Sequence, residues 1–333
     1  MSGVLAFDVG KSGCRVARFL DGARVGEAGR PAPGGLAGPG GPAAVVAAMV
    51  DAVGHLEHLG AEGHPPVEAV TAGIAGFAQA PQARDELTHR LARTYGVDTV
   101  VLASDMTTSH LGALRGGPGV VVAAGTGAVA LAVSGSGGSA RVDGWGYLLG
   151  DSGSGYDIAR RGLHAALRAH DGRRGSSILR DLAARRFGDL SQLPRTLHAE
   201  DNPARMVAGF AYDVLDAAQQ GDEWSRSLWH QAGVELARSA AAAAVRVDMA
   251  ESVVSTTGGL FGAGPLLTEP FVEELARRLP AGRWQPPDGD ALDGGHLMAT
   301  ETGLPHEHLL ARLPANPPST ADPQESRDDR RQW

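Results

Sequence analysis

Four short turns combine glycines with hydroxyl or carboxylate side chains, and they are the places where the sequence could hold an anionic ligand. They are Asp8–Gly13, Ala124–Gly127, Gly150–Gly155 and Thr257–Phe261. Glycine permits positive φ angles and lets backbone N–H groups approach a phosphate closely, while hydroxyls add further donors. In a chain with 47 glycines, any one of these turns could be a plain tight turn. The informative feature is the order and spacing of all four.

Two carboxylates lie at the ends of apolar runs that have the pattern of β-strands. Asp8 lies at the end of the run Val4–Val9, and Asp105 ends the run that begins at Asp98. Mg²⁺ keeps most of its hydration shell in proteins, so a single strand-end carboxylate can hold the ion through water. Asp8 is therefore the predicted Mg²⁺ ligand. For Asp105, the ordinary alternative is an N-cap for a helix that begins near Met106.

The first 115 residues predict the element order β-β-β-α-β-α-β-α. The three opening strands are separated by short turns, which is typical of an antiparallel meander. The predicted strands are Val4–Val9, Arg15–Leu20, Ala23–Gly29, Val67–Gly76 and Asp98–Asp105, and the predicted helices are Ala43–Leu59, Gln82–Tyr95 and Met106–Leu114.

The pattern then restarts after the glycine-rich segment Gly116–Gly119, which is predicted to be a hinge or a simple linker. The predicted strands are Gly119–Gly127, Ala128–Ser134 and Val253–Gly259, an irregular loop covers Arg141–Gly155, and the predicted helices are Gly155–Ala169, Ser176–Phe187, Ala204–Gln220, Glu223–Asp248, Leu267–Leu279 and Gly289–Glu301. This repetition predicts an N-terminal domain over residues 1–115 and a C-terminal domain over residues 116–312. Residues 313–333 have the composition of a disordered tail.

Taken together, the four turns resemble the motifs of the N-acetylglucosamine kinase and BadF/BadG/BcrA/BcrD-type ATPase family, within the actin-like sugar kinase superfamily. The resemblance runs from Val4 to about Thr300, and its most specific part is the segment GWGYLLGDSGSG. It implies an α/β fold of two actin-like (ribonuclease H-like) domains, each with a mixed sheet flanked by helices. A nucleotide and sugar cleft would lie between the domains, and the helix at about 289–301 would return to the N-terminal domain.

The same resemblance assigns roles to individual residues. Asp105 corresponds to the general base, and Asp8 holds Mg²⁺ through water. Asp151, Trp145 and Gly146 would contact the sugar, with Trp145 as a wall of the cleft rather than a stacking platform. The residues assigned to ATP and its phosphates are Gly10, Lys11, Ser12, Gly125, Thr126, Gly127, Gly258 and Gly259. Lys11 has the alternative of a solvated turn lysine.

The expected function is an ATP- and Mg²⁺-dependent amino-sugar kinase that phosphorylates N-acetylglucosamine or glucosamine at the 6-hydroxyl. Three departures from the family pattern affect the sugar side: Ser152 replaces a glutamate, Ala128 replaces a serine, and the loop Pro31–Pro42 lacks an asparagine. The alternatives are a non-catalytic sugar or nucleotide sensor and an ATPase activator of a dehydratase. The activator is disfavoured because it needs a [4Fe–4S] cluster held by cysteines, and Cys14 is the single cysteine.

Composition restricts the remaining classes. The formal net charge of -8 argues against nucleic acid as a partner. No apolar run approaches the roughly 18–20 residues of a membrane helix, and the N-terminus lacks the pattern of a signal peptide. We therefore expect a cytoplasmic protein that acts away from membranes. A small-molecule amino sugar is the partner that the resemblance implies, and a homodimer is the expected assembly. The arginine pairs Arg160–Arg161, Arg173–Arg174 and Arg185–Arg186 are predicted to be solvated helix ends.

Overall fold

The strands of the protein form two mixed β-sheets, seen in a computed structural model that describes residues 3–10, 13–31, 36, 40–59 and 65–313. In chain order the strands are β1 (Gly3–Val9), β2 (Cys14–Leu20), β3 (Ala23–Arg30), β4 (Val67–Ile74), β5 (Thr99–Ser104), β6 (Gly119–Ala124), β7 (Ala128–Val133), β8 (Ser139–Asp143), β9 (Val253–Thr257), β10 (Arg283–Trp284) and β11 (Ala311–Arg312). The predicted tail lies outside the described residues from position 314 onward.

Helices cover both sheets. In chain order they are α1 (Gly41–Leu59), α2 (Arg84–Tyr95), α3 (Asp105–Ala113), α4 (Gly155–His170), α5 (Ser177–Phe187), α6 (Leu193–Ala199), α7 (Pro203–Ala208), α8 (Ala211–Gln219), α9 (Glu223–Val245), α10 (Pro265–Arg278) and α11 (Ala291–Thr300). The predicted α/β class, with two mixed sheets flanked by helices, is confirmed.

The first sheet has the strand order β11-β5-β4-β1-β2-β3. The meander β1-β2-β3 is antiparallel, whereas β1, β4 and β5 run parallel to one another. Side chains alternate along β1, so its two faces enter different cores. Phe7 packs with residues of α1 and α2, while Val4 and Ala6 pack with Leu292 of α11. The even-numbered side chains of β1 therefore point toward α11.

The second sheet has the strand order β10-β9-β6-β7-β8, with β6 parallel to β9 and antiparallel to β7. On one face, Val120 and Val122 join a large cluster with α4 and α9. On the other face, Val121 packs with Met106 and Ala113 of α3. Helix α3 thus lies between the two sheets, against α11 and the first sheet on one side and the second sheet on the other.

Glycines permit the close crossing of α3 and α11. A Cβ atom on Gly112 would overlap the carbonyl oxygen of Asp290, and one on Gly294 would overlap the carbonyl oxygen of Thr108. The two helix backbones are therefore in direct contact, with no side chain between them. This contact fixes the start of α3, and Asp105 with it, relative to the first sheet.

Two predicted elements differ from the structure, and one helix was missed. The predicted irregular loop begins inside β8, whose edge position next to β7 leaves Ala140 as its buried side chain. The predicted helix Ala204–Gln220 is two helices, α7 and α8, which separate at Gly209, and glycine is a poor helix former. Helix α6 was not predicted. The domain boundary at residues 115 and 116 stays a prediction.

Candidate active site

Asp8 and Asp105 lie at the carboxyl ends of parallel strands in the first sheet, with β4 between them. Asp8 is on the face of β1 that α11 covers, because it alternates with Phe7. Burial raises the pKa of Asp8 to about 6. Arg15, whose Nη1 lies 3.9 Å from Asp8 Oδ2, opposes this rise, whereas the charges of Asp105 and Asp290 add to it. The carboxylates of Asp8 and Asp105 are thus close enough to repel each other.

The start of α3 gives Asp105 a position different from that of a helix cap. Ser104 is the N-cap, and its Oγ accepts a hydrogen bond from the Thr107 N–H at 3.1 Å. Asp105 is the first helical residue, and its Oδ1 accepts a hydrogen bond from the Met106 N–H at 2.9 Å. The N-cap alternative for Asp105 is therefore wrong.

A charged network that the sequence did not reveal surrounds Asp8. Asp290, the N-cap of α11, accepts hydrogen bonds from Arg15 and, at 2.6 Å, from Arg24. Burial alone would raise the pKa of Asp290, but these two guanidinium groups outweigh it and hold the pKa well below its usual range. The network holds Arg15 between Asp8 and α11, so the last helix of the chain positions the group that faces Asp8.

The turn Gly125–Gly127 joins β6 to β7 and is held by the start of α4. The Gly125 N–H donates to Gly127 O at 2.9 Å. From α4, the Gly155 N–H donates to Gly125 O at 2.8 Å and the Tyr156 N–H to Thr126 O at 3.2 Å. The side chain of Thr126 is exposed. The turn is therefore fixed before any ligand arrives.

Asp151 is buried next to this turn. It has a left-handed backbone with φ of 60°, and its Oδ1 accepts a hydrogen bond from the Gly146 N–H at 3.2 Å. A Cβ on Gly127 would lie 2.6 Å from Asp151 Oδ2, so the carboxylate packs directly against this glycine. Asp143, which sequence reasoning missed, accepts hydrogen bonds from the N–H groups of Asp151 at 2.7 Å and Ser152 at 3.0 Å. Asp143 thus ties the Asp151 loop to the end of β8.

The predicted adenosine glycines follow β9, beside the end of β6. Gly258 has φ of 98°, and a Cβ there would overlap the carbonyl oxygen of Ala124. The backbone conformation and this contact are enough to require glycine at position 258, without any ligand. Around Gly259 and Gly125, in contrast, a Cβ would meet no atom of the described residues within 4 Å. Space for a ligand therefore adjoins Gly259 and Gly125.

Trp145 belongs to an exposed apolar segment beside Asp151. Its side chain is 75% exposed, and those of Leu148 and Leu149 are exposed as well. Within the described part of the chain, Tyr147 is the aromatic residue of this segment that makes a ring contact, with Tyr156 at a centroid distance of 4.9 Å. The role of Trp145 as a cleft wall stays a prediction.

The first glycine turn is described only in part. The Gly10 N–H donates to Gly13 O at 2.9 Å, which closes the turn between β1 and β2. Lys11 and Ser12 lie outside the described residues. Cys14, at the start of β2, is buried, and burial raises the pKa of its thiol to about 12. A neutral, buried thiol is a poor metal ligand.

The structure thus gathers the predicted residues into two clusters. Asp8, Gly10 and Asp105 lie at the carboxyl ends of strands in the first sheet. Gly125, Thr126, Gly127, Asp151, Gly146 and Gly258 lie together at the carboxyl ends of β6 and β9 and on the loop before α4. In the described part of the chain, no three His, Cys, Asp or Glu side chains converge as a metal site. One or two carboxylates are enough for a hydrated Mg²⁺ with phosphate ligands, so Asp8 fits such an ion.

Two mixed sheets that share α3, with glycine turns at their strand ends, define the actin-like class of two-domain α/β proteins. Within that class the sequence matches the BadF/BadG/BcrA/BcrD ATPase family over residues 17–292, and the chain belongs to this family. The resemblance inferred from the four turns is confirmed.

Individual relatives agree with this membership. An N-acetylmuramic acid/N-acetylglucosamine kinase from Clostridium acetobutylicum is 26% identical over 250 residues, 73% of this chain and 81% of the relative. The crystal structure of a Chromobacterium violaceum protein, provisionally named N-acetylglucosamine kinase, is 28% identical with a TM-score of 0.73, covering 90% of this chain and 99% of its own. A ROK family glucokinase from Streptomyces griseus, in complex with glucose and AMPPNP, shares the fold with a TM-score of 0.54 at 18% sequence identity. The match covers 90% of this chain and 99% of the glucokinase chain. Across the described residues, every helix is too short or too polar to span a bilayer.

Proposed function

We propose that this protein is an ATP-dependent amino-sugar kinase that transfers the γ-phosphate to the 6-hydroxyl of N-acetylglucosamine or glucosamine. The observation that carries the proposal is the proximity of Asp8 and Asp105 at the carboxyl ends of two parallel strands of one sheet, next to a glycine turn. Phosphoryl transfer needs one carboxylate for the metal and another near the attacking hydroxyl. The names of the two relatives at 26% and 28% identity support an amino sugar as the substrate.

Asp105 is the proposed general base. Its Oδ1 is oriented by the Met106 N–H, and the cap at Ser104 fixes the first turn of α3. A carboxylate held in this way can accept the proton of the sugar hydroxyl as the new oxygen–phosphorus bond forms. The proton moves to Asp105, the bond between the γ-phosphorus and the β,γ-bridging oxygen breaks, and that oxygen leaves with ADP.

The glycine turns are the proposed ATP site. The turn Gly125–Gly127 would hold phosphates, and the open space at Gly259 would take the nucleoside. Asp8 would hold Mg²⁺ through water, and the ion would neutralise charge on the phosphates. The pKa of Asp8, about 6, leaves its carboxylate largely ionised at neutral pH.

Asp151 is the proposed sugar ligand. It is buried, and Asp143 and Gly127 fix its place. A buried carboxylate accepts hydrogen bonds from sugar hydroxyls strongly, because water competes little for it. Ser152 lies where the resemblance implies a glutamate, so Asp151 would act without that second carboxylate.

ADP release across a panel of N-acetylglucosamine, glucosamine, N-acetylmuramic acid and glucose, with ATP and Mg²⁺, tests the proposal. We expect turnover with at least one amino sugar, and phosphorus NMR of the product should show a 6-phosphate. No ADP release with any hexose or hexosamine contradicts the kinase function. A phosphate at another carbon contradicts only the 6-hydroxyl part.

A further inference from the structure

A second concave site lies in the helical part of the chain, among residues to which neither the proposed kinase reaction nor the four turns assign a role. It is a cavity of about 590 Å³. Its walls include Arg161, His164 and Arg168 on α4, Arg174 in the turn after α4, and Trp224 and Leu228 on α9. The lining side chains are basic or apolar. Its volume falls in the range of small-molecule sites, roughly 300–1,000 Å³.

Of the cavity arginines that the sequence predicted to be solvated helix ends, Arg174 is exposed, whereas Arg161 is partly buried within α4. Arg161, His164 and Arg168 recur at helical spacing and share one face of α4. A cation near a helix C-terminus is favoured by the helix dipole, which accounts for Arg168. Arg161, however, lies in the N-terminal half of α4, where the dipole gives no such gain, and its side chain is only 31% exposed.

Neutral oxygens accept hydrogen bonds from the guanidinium groups of Arg168 and Arg161, and Arg161 also lies 3.8 Å from the carboxylate of Asp157. Arg168 Nε donates to the carbonyl oxygen of Arg174 at 2.8 Å, and Arg161 donates to the side-chain oxygen of Gln231. Over the part of the chain that the structure describes, no carboxylate lies within 4.0 Å of the guanidinium of Arg168 or Arg174. Two neighbouring cations without a counter-ion favour the binding of an anion.

The neighbouring arginines outside the cavity differ in this respect. Arg173 pairs with Asp171 at 2.6 Å, and Arg160 pairs with Asp157 at 3.3 Å. Both are more than half exposed. Arg160 and Arg173 are thus neutralised by carboxylates, whereas Arg168 and Arg174 have none within 4.0 Å among the described residues.

The apolar wall of the cavity, formed by Trp224 and Leu228, indicates which chemical group is attached to the anion. The side chain of Trp224 is 39% exposed at the cavity, and Leu228 is buried behind it. An indole face stacks on sugar and aromatic rings, and guanidinium groups bind phosphate oxygens in a bidentate way. We propose that this cavity binds a phosphomonoester attached to a ring, which is the chemistry shared by sugar phosphates and nucleoside monophosphates.

The site adjoins the loop of Asp151. Arg161 Nη1 lies 3.8 Å from Asp157 Oδ2, and the same oxygen accepts a hydrogen bond from the Gly153 N–H at 3.3 Å. An anion in the cavity competes with Asp157 for Arg161. The contacts of the Asp157 carboxylate, which accepts a hydrogen bond from the Gly153 N–H, would therefore change when an anion occupies the cavity.

Calorimetric titration of the full chain with phenyl phosphate tests the site without any turnover, so its outcome is independent of the kinase proposal. We expect phenyl phosphate to bind, and inorganic phosphate and phenol to bind more weakly. Arg168→Ala and Arg174→Ala should each raise the Kd about tenfold or more, since a hydrogen bond to a charged group is lost. Arg160→Ala and Arg173→Ala are the matched controls and should leave the Kd unchanged.

Competition with glucosamine 6-phosphate and with AMP then distinguishes a sugar phosphate from a nucleoside monophosphate. The compound of the class that the cavity binds should displace phenyl phosphate. Thermal unfolding of each variant shows that it is folded, and Arg168→Lys should restore part of the affinity. The proposal is overturned if none of the three phosphomonoesters binds at millimolar concentration. It is also overturned if folded Arg168→Ala and Arg174→Ala bind phenyl phosphate as the wild type does.

Discussion

Ser104, and not Asp105, is the residue that caps α3. The hydroxyl of Ser104 satisfies the Thr107 N–H, so the carboxylate of Asp105 is not needed there. Asp105 instead bonds the adjacent Met106 N–H at the first turn. A residue that only capped α3 would be replaceable by serine or asparagine at little cost. A base is not replaceable in this way, since the amide cannot take a proton.

We expect Asp105→Asn to lower kcat by roughly 10²–10⁴, the usual contribution of a general base. The asparagine oxygen can still accept from the Met106 N–H, so ATP affinity and thermal stability should change little. Steady-state kinetics and nucleotide binding measure both effects. Asp98→Asn, an exposed aspartate just before the other end of β5, is the matched control and should keep full activity. Wild-type turnover in Asp105→Asn would place the base elsewhere.

Asp143 lets the sugar side be tested separately. Asp143→Asn tolerates the left-handed backbone, φ 61°, but replaces one of the two oxygens that hold the Asp151 loop. We expect the KM for the sugar to rise about tenfold, the cost of one lost hydrogen bond to a charged acceptor, with a smaller change in the KM for ATP. Asp248→Asn, at a similar φ of 55°, is the control. Equal changes in both KM values would contradict the role of Asp143.

The sequence could predict that Asp8 and Asp105 lie at strand ends, because strand ends and glycine turns are local signals. It could not predict the pairing of Arg15 with Asp290, which are 275 residues apart in the chain. Such a contact depends on how α11 packs against β1. Asp143 was missed for a related reason: its partners are backbone N–H groups, which have no residue-type signature.

At the scale of elements, long apolar runs predicted the central strands and most helices to within a few residues. One element that was missed, β8, pairs with β7 at a sheet edge, where most of its side chains are at least partly exposed and the apolar pattern is weak. The split of α7 from α8 falls at Gly209, a poor helix former, just before the buried Phe210. For β8, tertiary contacts decide the structure, and strand propensity alone does not encode them.

The crossing of α3 and α11 should be the most sensitive point of the fold to added volume. In Gly112→Ala the new methyl would overlap the Asp290 carbonyl oxygen, so we expect a loss of about 1–3 kcal/mol or more in the free energy of unfolding. Gly54→Ala in α1 is the control, because a Cβ there meets no described atom within 4 Å. It should stabilise by about 0.5–1 kcal/mol through helix propensity. Urea unfolding measures both, and equal stability of the two variants would contradict the tight crossing.

At the scale of the whole molecule, the buried residues His110 and His306 connect α3 to the start of β6 and to the segment that follows α11. His110 Nε2 lies 3.0 Å from the carbonyl oxygen of Gly119, which can only accept, so this nitrogen carries a proton. Nδ1 of the neutral ring must then accept from His306 Nε2, at 2.8 Å. Nδ1 of His306 is buried and has no hydrogen-bond partner among the described residues. Gly119 ends the glycine-rich segment predicted to be a hinge, so the pair fixes that segment to α3.

Burial lowers the pKa of His110 to about 4, and burial together with the neighbouring His110 and His308 lowers that of His306 to about 3. A histidine whose pKa is lowered by folding binds more protons when unfolded, so its stabilising effect is complete above the ordinary pKa of about 6.5 and is lost as the pH falls toward 4. For His110 alone the loss amounts to roughly 3 kcal/mol. The raised pKa of Asp8 acts in the opposite direction between pH 3.8 and about 6, but equally in wild type and in a histidine variant.

We therefore expect the free energy of unfolding of the wild type, measured with urea from pH 7.5 to pH 4, to fall more steeply below pH 6.5 than that of His306→Gln. The variant keeps a side-chain N–H that can donate to His110 Nδ1 but removes one buried imidazole, so its curve should be flatter even if it is less stable at pH 7.5. His89→Gln, which changes an exposed histidine of α2, should reproduce the wild-type slope. If wild type and His306→Gln lose stability in parallel as the pH falls, protonation of the buried pair does not govern the acid sensitivity of the fold.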